Sequence, residues 1–576
     1  MILDQGTYSS ELTNDIMHQR GIIENDESVT QALERATDAL LAIDTRLGVT
    51  EDTDFASRVY EQVESGVLIF GTPILTNAGR EGRMTAACTV LPVQTSQGKV
   101  KLDCFVSSSE TALGNAIGTG YDLSDVDSPA DALLELNEAL DEINTALLKD
   151  RKRPVASMAT LRANHPEVLS FIRAKREADF SKWRFNLSIF VSEELFASAE
   201  SDELWPLKDN RGQSVGAISA KDLLQEIAEC AHYCGEPGIL FKDRIDRDNA
   251  TPQWEYTSTA PCAEVAMAGG EACQFSYINL GNLVIEDVPG VQSIDFERFE
   301  VAVRDMTRLL DAAVQQTIDN DTFSALPLVE QKRRIGVGIT GFADLLIRLK
   351  IPYDDPRAQE LALQISEVLD YASKVESVEL AKQRGSFPAF SESRYMNSTW
   401  VRRKMKRTSG IIGVEKWEDL YNDIQRYGIR HAATTSMPPT GTSSAIVRSS
   451  KSLEPHFTLS DSQGDFFPSV IDALKMEEAI WVDIGKVSLH GVDIDRSEIG
   501  EFIPYLRTAR ELHPQAHMDV QIAFQAYLDE SLAKTINLPQ HSSVADVRDI
   551  IHQAAKSGVK GITVFRDNCL QERTGI

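Results

Sequence analysis

Short apolar runs alternate with amphipathic helical stretches along this chain, and that alternation limits its fold more than any other feature. "WRFNLSIFVSEELF", Trp183 to Phe196, reads as a strand running into a helix, with Ser192 at the capping position. "AKDLLQEIAECAHYCGEPGILF", Ala220 to Phe241, reads as a helix, a glycine stop and a strand. "ADALLELNEALDEINTALLKDRKR", Ala130 to Arg153, spaces its apolar residues as a helix does and ends basic, which suits a helix C-terminus. "ITVF", Ile562 to Phe565, reads as a last short strand. The pattern predicts an α/β protein. Residues 1–65 read as polar and helical. "VLIFGTPILTNAGREG", Val67 to Gly82, reads as a buried run entering a loop, and "GVGITGFADLLIRL", Gly336 to Leu349, as a glycine-rich turn entering a helix.

A chain of 576 residues exceeds a small domain but suits one large α/β barrel with appendages. Its net charge is 58 − 87 = −29. Such a surface repels phosphate backbones, so a nucleic-acid partner is not expected, although a local positive pocket still admits a small phosphorylated ligand. No apolar run reaches about 18 residues, so no transmembrane helix or membrane partner is read. The start, "MILDQGTYSSELTND", lacks a basic region followed by an apolar one, so no signal peptide is read and a cytoplasmic location is expected. In that reducing compartment Cys88, Cys104, Cys230, Cys234, Cys262, Cys273 and Cys569 are not expected to form a disulfide framework. They are buried small hydrophobes, or some are chemically active.

Two motifs are set aside. "GVGITG", Gly336 to Gly341, matches a dinucleotide fingerprint in letters, but a polar, basic segment, "LVEQKRRI", precedes it where a buried strand is required. Cys230 and Cys234 share a helix face around His232, yet no third and fourth ligand is near, so core packing is preferred and no metal site is assigned.

"TAPCAEV", Thr259 to Val265, places Cys262 and Glu264 on either side of one residue. If the segment is extended, residues i and i+2 face the same way, and thiol and carboxylate point into one pocket. The alternative is a buried cysteine and an exposed glutamate in a loop. "PPTGTSSAI", Pro438 to Ile446, has the composition of a loop whose hydroxyls and N–H groups cradle phosphate at a helix N-terminus.

The segments "TPILTNAG", "TAACTVLPV", "MATLRANHPEVLSFIRAK", "FNLSIFV", "CGEPGILFKDRIDRDN", "APCAEV", "CQFSYINL", "IGVGITGFADLL", "PPTGTSS", "SLEP", "AKTINLP" and "KGITVFRD" follow one another from about residue 67 to residue 567. In this order they resemble the catalytic subunit of ribonucleotide reductases. The resemblance implies a ten-stranded α/β barrel with a central finger loop over residues 66–567, behind a helical N-terminal region at 1–65 and before a short tail at 568–576. It implies that Cys262 becomes a thiyl radical, that Glu264 is the general base, and that Cys88 and Cys273 are the redox pair. Their disulfide requires Cα atoms roughly 5.5 Å apart. It carries substrate contacts onto Thr72, Ala87, Cys88, Gly118, the segment Ala260, Pro261, Cys262, Ala263 and Glu264, and the phosphate loop Pro439, Thr440, Gly441, Thr442 and Ser443.

Within the family, a tyrosine pair relays a radical from a partner subunit in one class. Thr563 and Val564 stand there instead. A second class has a glycyl-radical element near the C-terminus, which this sequence lacks. The resemblance is greatest to the third class, which uses adenosylcobalamin. It implies a ribonucleoside di- or triphosphate substrate and a thioredoxin- or glutaredoxin-like dithiol reductant. A homodimer through the 130–153 helix is compatible with it. Four departures bear on this. Ala260 replaces the family's asparagine, so a thiyl-radical enzyme acting on a modified nucleotide is an alternative, beside a non-catalytic nucleotide-binding homologue. The specificity and dimer region, about 104–153, is short, an ATP cone is not read in residues 1–65, and a single Cys569 stands where a tail dithiol is usual. Cys569 reads as an incidental exposed thiol or as an exchange partner.

Overall fold

The computed structural model describes residues 8, 10–24, 27–48, 52–149, 155–177, 183–320, 326–404, 409–483, 486–489 and 492–569. Ten strands share one sheet: β1 (Leu68–Phe70), β2 (Cys88–Val90), β3 (Gly118–Asp122), β4 (Ser157–Arg162), β5 (Phe185–Val191), β6 (Gly238–Phe241), β7 (Glu271–Asn279), β8 (Ile335–Thr340), β9 (Thr535–Leu538) and β10 (Gly561–Arg566). Strands β2 to β6 run parallel in chain order. Strands β7 and β8 are parallel, as are β9 and β10.

The hydrogen bonding continues around a ring. Segment 433–437 lies between β8 and the approach to β9. Val337 N–H donates to Thr434 O at 2.8 Å on one side, and Ala533 N–H to Met437 O at 2.8 Å on the other. Parallel bridges pair Val337 with Thr435 and Met437 with Leu532. Two parallel halves, β2–β6 and β7–β8–(433–437)–β9–β10, thus close into a barrel. They meet at two antiparallel seams, β7 with β2 and β6 with β10. Strand β1 flanks the far half of β7 outside this ring. Segment 433–437 is irregular because a side chain intrudes: the Thr434 N–H donates to the Asp529 carboxylate at 2.9 Å.

Helices cover the outside, including Phe296–Ile318 and Pro356–Arg384, whose inner faces are buried. The N-terminal region is helical at Glu11–Gln19, Val29–Arg46 and Phe55–Glu64. It is fastened to the barrel by ions: buried Asp44 pairs with Arg308 and Arg384 at 2.6 Å each. The Ser192 cap forms, its hydroxyl accepting from Leu195 N–H, and the helix predicted from Ala130 spans Pro129–Lys149. Residues 150–153 of that prediction lie outside the described residues.

Two local expectations are corrected. Thr72–Asn77 is a helix rather than a loop, because Pro73 sits in its first turn, where a missing N–H costs nothing. The run 335–340 is a fully buried barrel strand rather than a turn, and the helix Phe342–Arg348 begins only after it.

Candidate active site

A hairpin rises inside the barrel. Ser258–Thr259 pairs with Ala266–Met267, and the stretch between them is the tip. Gly120 on β3 makes room for its stem, since a Cβ there would lie 2.1 Å from Thr259 O. Gly118 does the same for the tip: a Cβ would lie 2.8 Å from Pro261 Cγ and 3.3 Å from Cys88 Sγ.

The tip is a tight turn, which corrects the extended reading of Cys262 and Glu264. Ala260 N–H donates to Val265 O at 2.8 Å, Ala263 N–H donates to Ala260 O at 2.9 Å, and Ala263 takes a left-handed φ of 65°. A hairpin must reverse direction at its tip, so the alternation of a strand cannot hold there. The two side chains part: Cys262 is exposed toward a cavity and Glu264 is buried.

Beneath the tip lies the first seam. Cys88 on β2 and Cys273 on β7 are direct antiparallel partners. Residues so opposed share a face, with Cα atoms about 4.5–5.5 Å apart, within the roughly 4.4–6.8 Å that a disulfide spans. Neither is in a disulfide here. The Cys88 thiol lies 3.9 Å from Glu264 Oε1. Burial raises the Glu264 carboxyl from 4.5 to about 7 and pushes the Cys273 thiol well above its ordinary value. Glu264 Oε2 has no hydrogen-bond partner among the described residues.

A buried ion cluster anchors the finger's base. Arg334 pairs with Glu271 at 2.6 Å and Glu530 at 2.5 Å, donates to Ala266 O at 3.0 Å, and also donates to the Tyr256 hydroxyl. Lys332 joins the other Glu271 oxygen at 2.6 Å. Two anions thus meet two cations, and the cluster ties β7, β8 and the approach to β9 to both stems of the hairpin.

Above the tip opens a cavity of about 920 Å³ lined by Pro261, Cys262 and Ala263, by Asn186 and Ser188 of β5, by Thr563 and Phe565 of β10, and by Pro439 with 449–452. Leu12 and Ile16 of the first helix also reach it. Of the expected phosphate loop, Pro439 faces the cavity, while Gly441–Ile446 forms a short helix. The Ser443 hydroxyl donates to Phe70 O at 3.1 Å, and Thr440 Oγ1 accepts from Ser452 N–H at 2.9 Å. These hydroxyls hold the loop against the barrel, close in sequence to Thr72. Ala87 and Gly118 flank the redox pair: Ala87 N–H donates to Cys273 O, and Gly118 pairs with Cys88. Ala260 is fully buried.

Asn186, Arg448, Glu454 and Lys534 also line the cavity and were not singled out from the sequence. For Asn186 a signal existed: in "FNLSIFV" polar residues stand two apart in an otherwise apolar strand, which marks one face of a barrel wall. Cys569 is buried rather than exposed, because the chain folds back after β10 through Asn568 at φ 61°. Residues 570–576 lie outside the described residues. Cys230 and Cys234 are buried, with the Cys234 thiol on the Cys230 carbonyl at 3.3 Å. Among the described residues no group of three or more His, Cys, Asp or Glu is arranged to hold a metal ion.

The family model "Ribonucleotide reductase, barrel domain" matches residues 106–565, beginning after Cys88. The chain is 28% identical over 565 residues to a vitamin B12-dependent ribonucleoside-diphosphate reductase of Mycobacterium tuberculosis, covering 94% of this chain and 76% of that protein. It is 28% identical to one of the same description from Thermoplasma acidophilum, over 89% of this chain and 65% of the relative. A vitamin B12-dependent ribonucleotide reductase of Streptomyces clavuligerus is 24% identical, over 87% and 58%. With the greater part of its length matched, from the second barrel strand's flank to the last strand, this chain belongs to the ribonucleotide reductase barrel-domain family.

Proposed function

We propose that this chain is an adenosylcobalamin-dependent ribonucleotide reductase that converts ribonucleoside di- or triphosphates to 2′-deoxyribonucleotides. One observation carries the reading: Cys88 and Cys273 are in register across a seam, with Glu264 against Cys88 and Cys262 exposed directly above.

The cavity fits the cofactor's part in this. The cavity of about 920 Å³ is of the size that small-molecule sites reach, about 300–1,000 Å³, and Cys262 is exposed to it. Phe457 and Phe565 give the cavity an apolar lining that would face the cofactor. When bound, adenosylcobalamin supplies the organic radical that takes the hydrogen atom from the Cys262 thiol.

The chain's own residues do the rest. Cys262 removes the 3′ hydrogen of the ribose. Glu264 accepts the 3′-hydroxyl proton, work suited to a carboxyl held at about 7. Cys88 and Cys273 deliver two electrons and two protons, the 2′ hydroxyl leaves as water, and an S–S bond forms between them. The 3′ hydrogen then returns from Cys262, and Glu264 gives the 3′-hydroxyl its proton back. The N–H groups opening the helix Gly441–Ile446 would hold the phosphates.

The partners we infer are the ribonucleotide and an external dithiol protein of thioredoxin or glutaredoxin type. Leu134 and Leu148, exposed on the helix Pro129–Lys149, offer a face for a second copy. No described helix is long and apolar enough to cross a membrane, and we place the protein in the cytoplasm.

The test is turnover. Purified chain, adenosylcobalamin, a dithiol and each common ribonucleotide should yield 2′-deoxynucleotide, and Cys262→Ala should yield none. Product from the variant, or none from the wild type with any ribonucleotide, would overturn the reading.

A further inference from the structure

Asn186 is the second residue of β5, on the cavity wall and half-buried. Its Nδ2 donates to the carbonyl of Pro261 at 2.8 Å, the peptide that leads into Cys262. A side-chain amide has two faces: the donor is spent on the finger, and the acceptor Oδ1 is left for the cavity. The wall behind it is fixed. The next N–H, of Leu187, donates to Glu236 at 2.8 Å, and buried Lys175 neutralises that carboxylate at 2.7 Å. The finger brings no competing amide of its own, because Ala260 carries no polar side-chain atom and is fully buried. Asn186 thus joins the cavity wall to the tip's backbone.

We propose that Asn186 is a positioning residue that also reads the substrate: its NH₂ group fixes the tip that carries Cys262, and its Oδ1 accepts a hydrogen bond from a ribose hydroxyl next to the carbon that Cys262 attacks. The inference rests on the reductase reading for its substrate half and on the geometry alone for its finger half. A hydroxyl so held distinguishes a ribonucleotide from its 2′-deoxy counterpart. One hydrogen bond of this kind is worth roughly a 2- to 10-fold preference.

The experiment uses the full chain and the variants Asn186→Ala and Asn186→Asp, each checked for native circular dichroism. Anaerobic alkylation of Cys262 by iodoacetamide, followed on its peptide by mass spectrometry, reads the finger. Both variants lose the donor, so both should change the alkylation rate several-fold. Equilibrium affinities for ADP and 2′-deoxy-ADP read the substrate half. The wild type should prefer ADP, Asn186→Ala should lose roughly 2- to 10-fold of that preference, and Asn186→Asp, which keeps an acceptor, should retain most of it. In turnover, Asn186→Ala should raise KM as well as lower kcat. An alkylation rate unchanged in both variants overturns the inference. So does a preference that Asn186→Ala leaves intact, or a wild type without one. Failure of the wild type to bind or turn over any ribonucleotide overturns the reductase reading instead, and the alkylation arm still decides the role of Asn186 at the finger.

Discussion

Replacing Glu264 by glutamine tests the site through stability and rate together. Burial holds this carboxyl at about 7 in the folded chain, against 4.5 ordinarily. Below pH 4.5 the group is neutral in both states and its burial carries no ionisation penalty. Between pH 4.5 and about 7 the unfolded chain ionises while the folded one does not, so stability falls as pH rises. Above pH 7 that loss is complete. The difference between about 7 and 4.5 amounts to roughly 3 kcal/mol. Glutamine does not titrate. Glu264→Gln should therefore gain roughly 3 kcal/mol relative to the wild type between pH 4.5 and pH 8. Urea unfolding of both proteins at the two pH values measures this, with the slopes compared to show that the same unit unfolds. A stability difference that stays constant across the range would refute the argument that desolvation governs this carboxyl. In turnover the variant should lose about 10²- to 10⁴-fold, and wild-type kcat should rise with pH through about 7 as the base becomes ionised.

Three further outcomes are expected. Mild oxidation should link the peptides of Cys88 and Cys273, detected by mass spectrometry, and Cys88→Ser or Cys273→Ser should abolish both the link and reductant-dependent turnover. Gly118→Ala puts a methyl group 2.8 Å from Pro261 Cγ, and the displaced tip should cost about 10²-fold in kcat by steady-state assay, with overall unfolding little changed. Arg334→Met strips Glu271 and Glu530 of their shared cation, and the unfolding midpoint should report a loss of about 3–5 kcal/mol.

What the residues disclosed and what they concealed divide along physical lines. The Cys-x-Glu pair stands out because two reactive groups in one short segment are rare, but its shape is hidden: nothing local shows that Ala263 adopts a left-handed turn. The helix at Thr72–Asn77 was hidden by Pro73, which reads as a breaker although it is favoured in a first turn. The place of 433–437 in the ring is invisible in "HAATTSMPP", since no apolar alternation marks it and its partners are segments far along the chain. The pairing of Cys88 with Cys273 follows from strand register, which long-range closure sets. Asn186 is hidden because a single amide in an apolar strand carries no motif, and its meaning comes from a finger more than seventy residues downstream.

The seam between β2 and β7 gives the catalytic cycle a mechanical side. Cys88 and Cys273 belong to different halves of the barrel, joined there by only a few residue pairs. An S–S bond between them is a latch across the two halves, closing a loop of nearly two hundred residues, which by chain entropy is worth about 5 kcal/mol against unfolding. Each turnover therefore leaves a stiffer protein than it began with, and the reductant that readies the enzyme for the next substrate also unlatches it. Resistance to heat or protease should rise and fall with the redox state of the active site, so that a spent enzyme is the more durable one.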